Sequence, residues 1–183
     1  MRRVVLHMSM TLDGYVASDR QHPGMLAEDD ELVAWKLERV TRAGAHLMGR
    51  TTYMEMAGFW PASTSPYAAP MNDIDKIVFS RTLSDDDADW PTTRVARGDL
   101  AAEITAIKNE PGPDVIAWGG ASFAAALAGQ NLIDEYRLAV QPVATGSGHA
   151  LFRELAGAVH LELLDARSFA CGVVMHIYRP SAP

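Results

Sequence analysis

Apolar and polar positions divide the chain into strands and helices whose order already limits the fold. Val4 to Met10 is an apolar, β-rich run interrupted by His7 and Ser9 and reads as a buried strand; Asp13-Gly14 then supplies a turn before Tyr15-Val16-Ala17. His22-Pro23-Gly24 marks a loop. The acidic run Glu28-Asp29-Asp30-Glu31 precedes apolar residues at helical spacing, Leu32, Val33, Leu37 and Val40, with Trp35 and Lys36 between them. Carboxylates at that end suit the positive pole of a helix dipole. Ala45 to Met48 is another strand, ending at Gly49, and Arg50-Thr51-Thr52 opens a short helix through Met56. From Phe59-Trp60-Pro61 to Pro70, frequent proline and serine predict little regular structure.

Lys76 to Phe79 is a strand, Thr92 to Ala96 a short further one, and Asp99 is placed to cap a helix through Lys108 that Pro111-Gly112-Pro113 stops. Val115 to Trp118, then Gly119-Gly120, then Ser122 to Ala128 ended by Gly129 form the sharpest strand, turn and helix unit. Glu135 to Val140, Leu161 to Leu164 and Val173 to Tyr178 carry strand character with no long helix between them, so they are expected to pair antiparallel. Alternating elements first and strands alone afterwards predict an α/β chain with a mixed, mostly parallel sheet.

Composition bounds the function. With 183 residues, 48% hydrophobic and 21% charged, the chain can bury a core without a covalent staple and is expected to form one domain over residues 1–183. A formal charge of −7 disfavours nucleic acid, which needs a basic stripe to displace counterions, but leaves room for a local pocket around one small phosphate. Cys171 is the single cysteine, so no internal disulfide forms, which suits a reducing compartment. The apolar run after Met1-Arg2-Arg3 is too short for a secretion signal, and no run of about twenty apolar residues is present to span a bilayer. A cytoplasmic protein with no membrane partner is expected. The histidines show no metal-ligand spacing, and Asp85-Asp86-Asp87 with Asp89 lacks the glycine and distal glutamate of a calcium loop, so no metal is expected.

Two strand-to-helix turns have the chemistry of a phosphate site. A helix N-terminus presents unpaired N–H groups and partial positive charge, and a preceding glycine lets an anion approach the backbone. Gly49-Arg50-Thr51-Thr52 adds a guanidinium and two hydroxyls to one such start, and Gly119-Gly120-Ala121-Ser122 offers bare backbone at the other. Ser80-Arg81-Thr82 follows a third strand and shares their edge if the sheet is parallel there. Two arginines near an adenosine ribose favour NADPH over NADH through charge-assisted bonds to phosphate. The glycine fingerprint of an ordinary dinucleotide-binding unit is absent.

These residues resemble the dihydrofolate-reductase-like superfamily, in the branch typified by the reductase domain of bacterial riboflavin biosynthesis. The resemblance spans nearly the whole chain. It rests on Ser9 to Ala17, Leu47 to Tyr53, Ile77 to Leu83, Trp118 to Ser122, Ile133 to Leu138, and Pro142 through Gly146-Ser147-Gly148 to Phe152. It implies a three-layer sandwich with helices on both faces of the sheet and a homodimer. It also implies NADPH phosphates held by Gly49, Arg50, Thr51 and Thr52, an adenosine phosphate met by Ser80, Arg81 and Thr82, and a pyrophosphate wrapped by Trp118, Gly119, Gly120, Ala121, Ser122 and Phe123. The paired glycines of this family often enclose a cis peptide bond.

The activity this implies is hydride transfer to a small heterocycle, a pyrimidine of the 5-amino-6-(5-phosphoribosylamino)uracil type or a pterin resembling dihydrofolate. Such a transfer leaves negative charge on a heteroatom, so a proton source or a group that organises water is required. Asp13 after the first strand, and Glu31 or Asp30 at the start of the first helix, are the candidate acids; a turn former and a helix cap are the structural alternatives. The resemblance places Phe59, Trp60, Gly146 and Gly148 near the substrate, where aromatic rings can stack on a flat ring. Two rival readings remain: a hydrolase using Ser122 with Asp165 and His176, which lacks one glycine of a nucleophile elbow, and an NADPH-binding module without catalysis.

Overall fold

The apolar runs become neighbours in one sheet. The computed structural model describes residues 1–17, 27–152, 155 and 157–181. In chain order the elements are β1 (Val4–Thr11), β2 (Tyr15–Ala17), α1 (Asp30–Thr41), β3 (Ala45–Gly49), α2 (Arg50–Phe59), α3 (Ala68–Asp73), β4 (Lys76–Phe79) and β5 (Thr93–Ala96). They continue with α4 (Leu100–Asn109), β6 (Val115–Trp118), α5 (Ala121–Gly129), β7 (Glu135–Gln141), β8 (His149–Ala150), β9 (Leu161–Ser168) and β10 (Val174–Pro180). Eight strands lie in the order β5-β4-β3-β6-β1-β7-β10-β9. The first six run parallel, and β10 pairs antiparallel with β7 and β9. β2 and β8 form a separate antiparallel pair. The loop predicted at His22-Pro23-Gly24 lies outside the described residues.

Strand periodicity sorts the core into layers. Val4, Leu6 and Met8 of β1 pack with Ile104 and Ile107 of α4 and with Phe123, Ala124 and Leu127 of α5. On another side, Leu32 and Trp35 of α1 cover Ala139 and Met175, and Val40, Met71 and Tyr53 cover Met48, Val78 and Ile116. The result is a sheet with helices on both faces, the dihydrofolate-reductase-like sandwich.

One local detail differs from the sequence expectation, and a second fixes which residue of the acidic run is the helix cap. The proline- and serine-rich stretch holds a 3-10 turn over Trp60–Ala62 and the helix α3. Pro61 and Pro70 both sit in first turns, where a missing N–H breaks no internal bond, so residues read as breakers are helix starters here. Asn72 fixes the segment, donating to the Trp60 carbonyl (3.0 Å) and accepting from the Trp90 indole (2.8 Å). Within the acidic run Asp29 is the helix cap: its carboxylate accepts from the Leu32 and Cys171 amides, each at 2.8 Å, which ties the start of α1 to the β9–β10 turn.

Candidate functional site

Because β4, β3, β6 and β1 are adjacent and parallel, the turns after β3, β4 and β6 leave the sheet on one carboxyl edge. Gly49 and Gly120 are the N-caps of α2 and α5; neither helix start has a side-chain cap or an acidic first turn. By contrast α1 and α4 are capped by Asp29 and Asp99 and carry Asp30, Glu31 and Glu103 in their first turns. The two glycine-capped starts therefore keep free N–H groups and positive potential where the others have neutralised theirs.

The three turns touch one another. The Thr52 hydroxyl donates to the Gly119 carbonyl at 2.5 Å, and Arg50 Nη1 donates to the Thr82 hydroxyl at 3.2 Å. Ser80 Oγ accepts from the Thr82 and Leu83 amides, which shapes the turn after β4. Phe123 stacks near Phe79 (5.0 Å between centroids), and its Cβ would lie 3.2 Å from a methyl group placed on Gly49. Thr51, Arg81 and Ser122 are exposed at this edge, and Arg81 has no partner among the described residues. Gly120 has φ +135°, and the peptide bonds among the described residues are all trans, so the paired glycines enclose no cis bond here.

Beside these turns opens a cavity of about 720 Å³. Its walls include Thr52, Phe59, Trp60, Trp118, Gly119, Gly120 and Ala121, all singled out from sequence, and also His7, Glu28, Lys36, Tyr67 and Gln141, which were not. Phe59 and Trp60 meet edge to face at 4.9 Å. Trp118 is held by its indole N–H, which donates to His46 Nδ1 at 3.0 Å. The Nε2–H of His46 is then left to bond the Pro70 carbonyl at 3.1 Å. Trp118 also faces the His7 ring at 5.5 Å.

Gly146 and Gly148 do not line the cavity. They lie in the loop before β8, and the Asp13 carboxylate accepts from the Gly146 amide (2.7 Å), the Thr145 amide and the Thr11 hydroxyl (2.6 Å). The Thr11 hydroxyl and the Gly146 amide hold the Asp13 carboxyl below its ordinary range, so it stays ionised and has no proton to give near neutrality. Glu31 pairs with Arg167 of β9, and neither Glu31 nor Asp30 reaches the cavity wall. Ser122 stands beyond β6, whereas His176 and Asp165 lie three and four strands away on β10 and β9. At about 4.8 Å per strand this leaves roughly 14–19 Å, so no nucleophilic triad forms.

The missed residues have a common signal. His7 is a buried polar residue in a largely apolar strand, and Gln141 ends β7 fully buried beside Pro142. Burial pushes the His7 imidazole down to about 3, helped by the nearby Lys36 ammonium, and pushes His46 down to about 4. Both rings are neutral in the folded chain at pH 7. Because their folded values lie below the unfolded one of about 6.5, the unfolded state binds more protons as pH falls. Thermal stability is expected to be full above pH 6.5 and to fall between pH 6.5 and 4, each ring adding up to about 1.4 kcal/mol per pH unit. Melting curves of His46→Gln should show a shallower decline over that range; an unchanged slope would remove His46 from the account.

Comparisons with known proteins agree with this architecture. YyaP of Bacillus subtilis (strain 168), whose own role is uncharacterized, is 26% identical over 182 residues, covering 97% of this chain and 94% of that one. A pyrimidine reductase-like protein from Corynebacterium diphtheriae superposes with a TM-score of 0.73 at 12% identity, over 100% of this chain and 93% of the other. A diaminohydroxyphosphoribosylaminopyrimidine deaminase/5-amino-6-(5-phosphoribosylamino)uracil reductase from Thermotoga maritima superposes with a TM-score of 0.70 at 16% identity, over 98% of this chain and 57% of that protein. The model of the RibD C-terminal domain matches residues 2–175. With that match running almost end to end over a dihydrofolate-reductase-like sheet, the chain belongs to the RibD C-terminal domain family.

Proposed function

We propose that this chain is an NADPH-dependent oxidoreductase that passes a hydride to a small heterocycle. The acceptor is a riboflavin-pathway pyrimidine of the 5-amino-6-(5-phosphoribosylamino)uracil type or a pterin resembling dihydrofolate. The observation that carries the reading is the row of turns after β4, β3 and β6, mutually bonded and opening beside one cavity. Their chemistry fits a phosphorylated dinucleotide: two helix starts without side-chain caps, a glycine at positive φ with no Cβ to block an approaching anion, and a guanidinium with no partner among the described residues.

In this reading Gly49, Arg50, Thr51 and Thr52 hold phosphate from one side and Gly119 to Phe123 from the other, while Ser80, Arg81 and Thr82 receive the adenosine phosphate. When bound, the nicotinamide supplies the hydride. Trp118, locked by His46, and Phe59 with Trp60 provide flat apolar walls that exclude water and orient a ring. Asp13, Asp30 and Glu31 do not border the cavity, so the charge left on the acceptor must be met by groups on its wall.

The functional unit is a homodimer of one-domain chains in the cytoplasm, joined through β9. That strand ends the sheet with both faces open, and Leu163 and Leu164 are 52% and 43% exposed. Titrating purified protein with NADPH and NADH, followed by tryptophan fluorescence, tests the cofactor, and NADPH consumption with each acceptor tests the activity. Tight NADPH binding, turnover and a sedimentation mass of two chains are expected. No measurable affinity for NADPH defeats the reading; binding without turnover of any acceptor leaves the non-catalytic module instead.

A further inference from the structure

Among the described residues lining the cavity, Lys36 is the one lysine or arginine. It projects from α1 with its side chain only 10% exposed, and its Nζ donates to Glu28 at 2.6 Å. An ammonium has three N–H groups, and Glu28 takes one of them. Both partners border the cavity, and Lys36 is the more enclosed of the two, with Glu28 34% exposed.

Next to this pair lies an orphaned donor. Gln141, 1% exposed, accepts the Ala27 amide on its Oε1 at 2.8 Å. That bond settles which way the amide points, and it leaves Nε2 buried with no partner while the side chain borders the cavity. Ala27 precedes Glu28, so this bond ties the approach to α1 to the end of β7, and Gln141, Glu28 and Lys36 all border the same cavity. A buried amide N–H₂ without an acceptor is destabilising, and a bound acceptor atom would relieve that cost.

We propose that Lys36 Nζ and Gln141 Nε2 form an oxyanion-binding wall that selects planar ring ligands bearing a negatively charged oxygen. The preference itself follows from these side chains; its place in turnover rests on the reductase reading. In that setting a hydride supplied by bound nicotinamide would add to the electrophilic carbon of the acceptor's C=O or C=N bond, whose π pair would move to oxygen or nitrogen, leaving the nicotinamide oxidised. The two donors stabilise the resulting anion until water delivers its proton. Donors fixed in advance in an enclosed site stabilise such charge far better than mobile water does.

Barbiturate, an anionic pyrimidine trione at neutral pH, and uracil, a neutral ring of similar outline, separate this inference from the reductase reading. Calorimetric titration of the full chain at pH 7 should show barbiturate binding at least tenfold more tightly than uracil. Lys36→Met and Gln141→Glu should bring that ratio close to one, the second by replacing a donor with a carboxylate of equal size. Glu28→Gln, which removes the counter-ion, should raise it. Circular dichroism and cooperative melting of each variant show that it folds. An equal affinity of the wild type for both rings, no detectable barbiturate binding, or a ratio unchanged in folded Lys36→Met overturns the proposal. Failure to bind NADPH with the barbiturate preference intact defeats the reductase reading alone.

Discussion

Arg81→Ala is expected to weaken NADPH binding by about ten- to a hundredfold while leaving NADH within about twofold. The guanidinium is exposed after β4 with no partner among the described residues, so removing it breaks nothing inside the protein. What it loses is a charge-assisted bond to the extra phosphate of NADPH, worth about 1.5–3 kcal/mol, and each 1.4 kcal/mol is tenfold in affinity. Arg81→Lys should recover part of the loss, since an ammonium keeps the charge but not the two-pronged geometry. Parallel titrations with both cofactors decide the matter: an equal loss for NADPH and NADH would place Arg81 away from the distinguishing phosphate.

The second large effect is expected from Gly120→Ala. Here φ is +135°, which a residue with a Cβ adopts only under strain, and the added methyl would lie 2.6 Å from Thr52 Oγ1. Thr52 cannot yield freely because its hydroxyl holds the Gly119 carbonyl. Strain of this kind costs about 1–3 kcal/mol, and in a chain of this size each kcal/mol lowers the melting temperature by about 2–4 °C. NADPH affinity should fall at least tenfold, because α2 and the turn after β6 can no longer keep their contact. Thr52→Ala combined with Gly120→Ala should cost less than the sum of the two, since it removes the clash. Gly58→Ala, on the exposed side of α2 with nothing within 4 Å of the new methyl, serves as the control and should melt no lower than the wild type. A Gly120→Ala protein that melts and binds as the wild type does would show that the turn has room to adjust.

Most of the sheet was legible because each strand is announced locally. Apolar β-rich runs ended by Gly49, Ser80 or Gly119 read as strands followed by tight turns, and those turns recur where expected. The prolines at 61 and 70 misled for a local reason too: proline stops a helix from within but starts one readily, and spacing alone does not say which side of the boundary it occupies.

The side chains around the cavity were legible only where glycine or aromatic residues marked a turn. Lys36 and Glu28 stand eight residues apart and resemble the solvated charges of any helix and its approach. Gln141 falls one residue past the strand read over Glu135 to Val140. Their role emerges only when β7 is laid against β1 and the chain before α1 crosses the end of β7, so that Ala27 meets Gln141 across 114 residues.

By itself, the sequence determined most of the strands and helices and the chemistry of the turns, because backbone conformation and capping answer to residues a few positions away. Only the tertiary structure decided that β6 inserts between β3 and β1, which turns share an edge, and which of many charged residues are buried beside the cavity. Those outcomes depend on contacts between distant segments and on exclusion of water, and neither is encoded in any one stretch of chain.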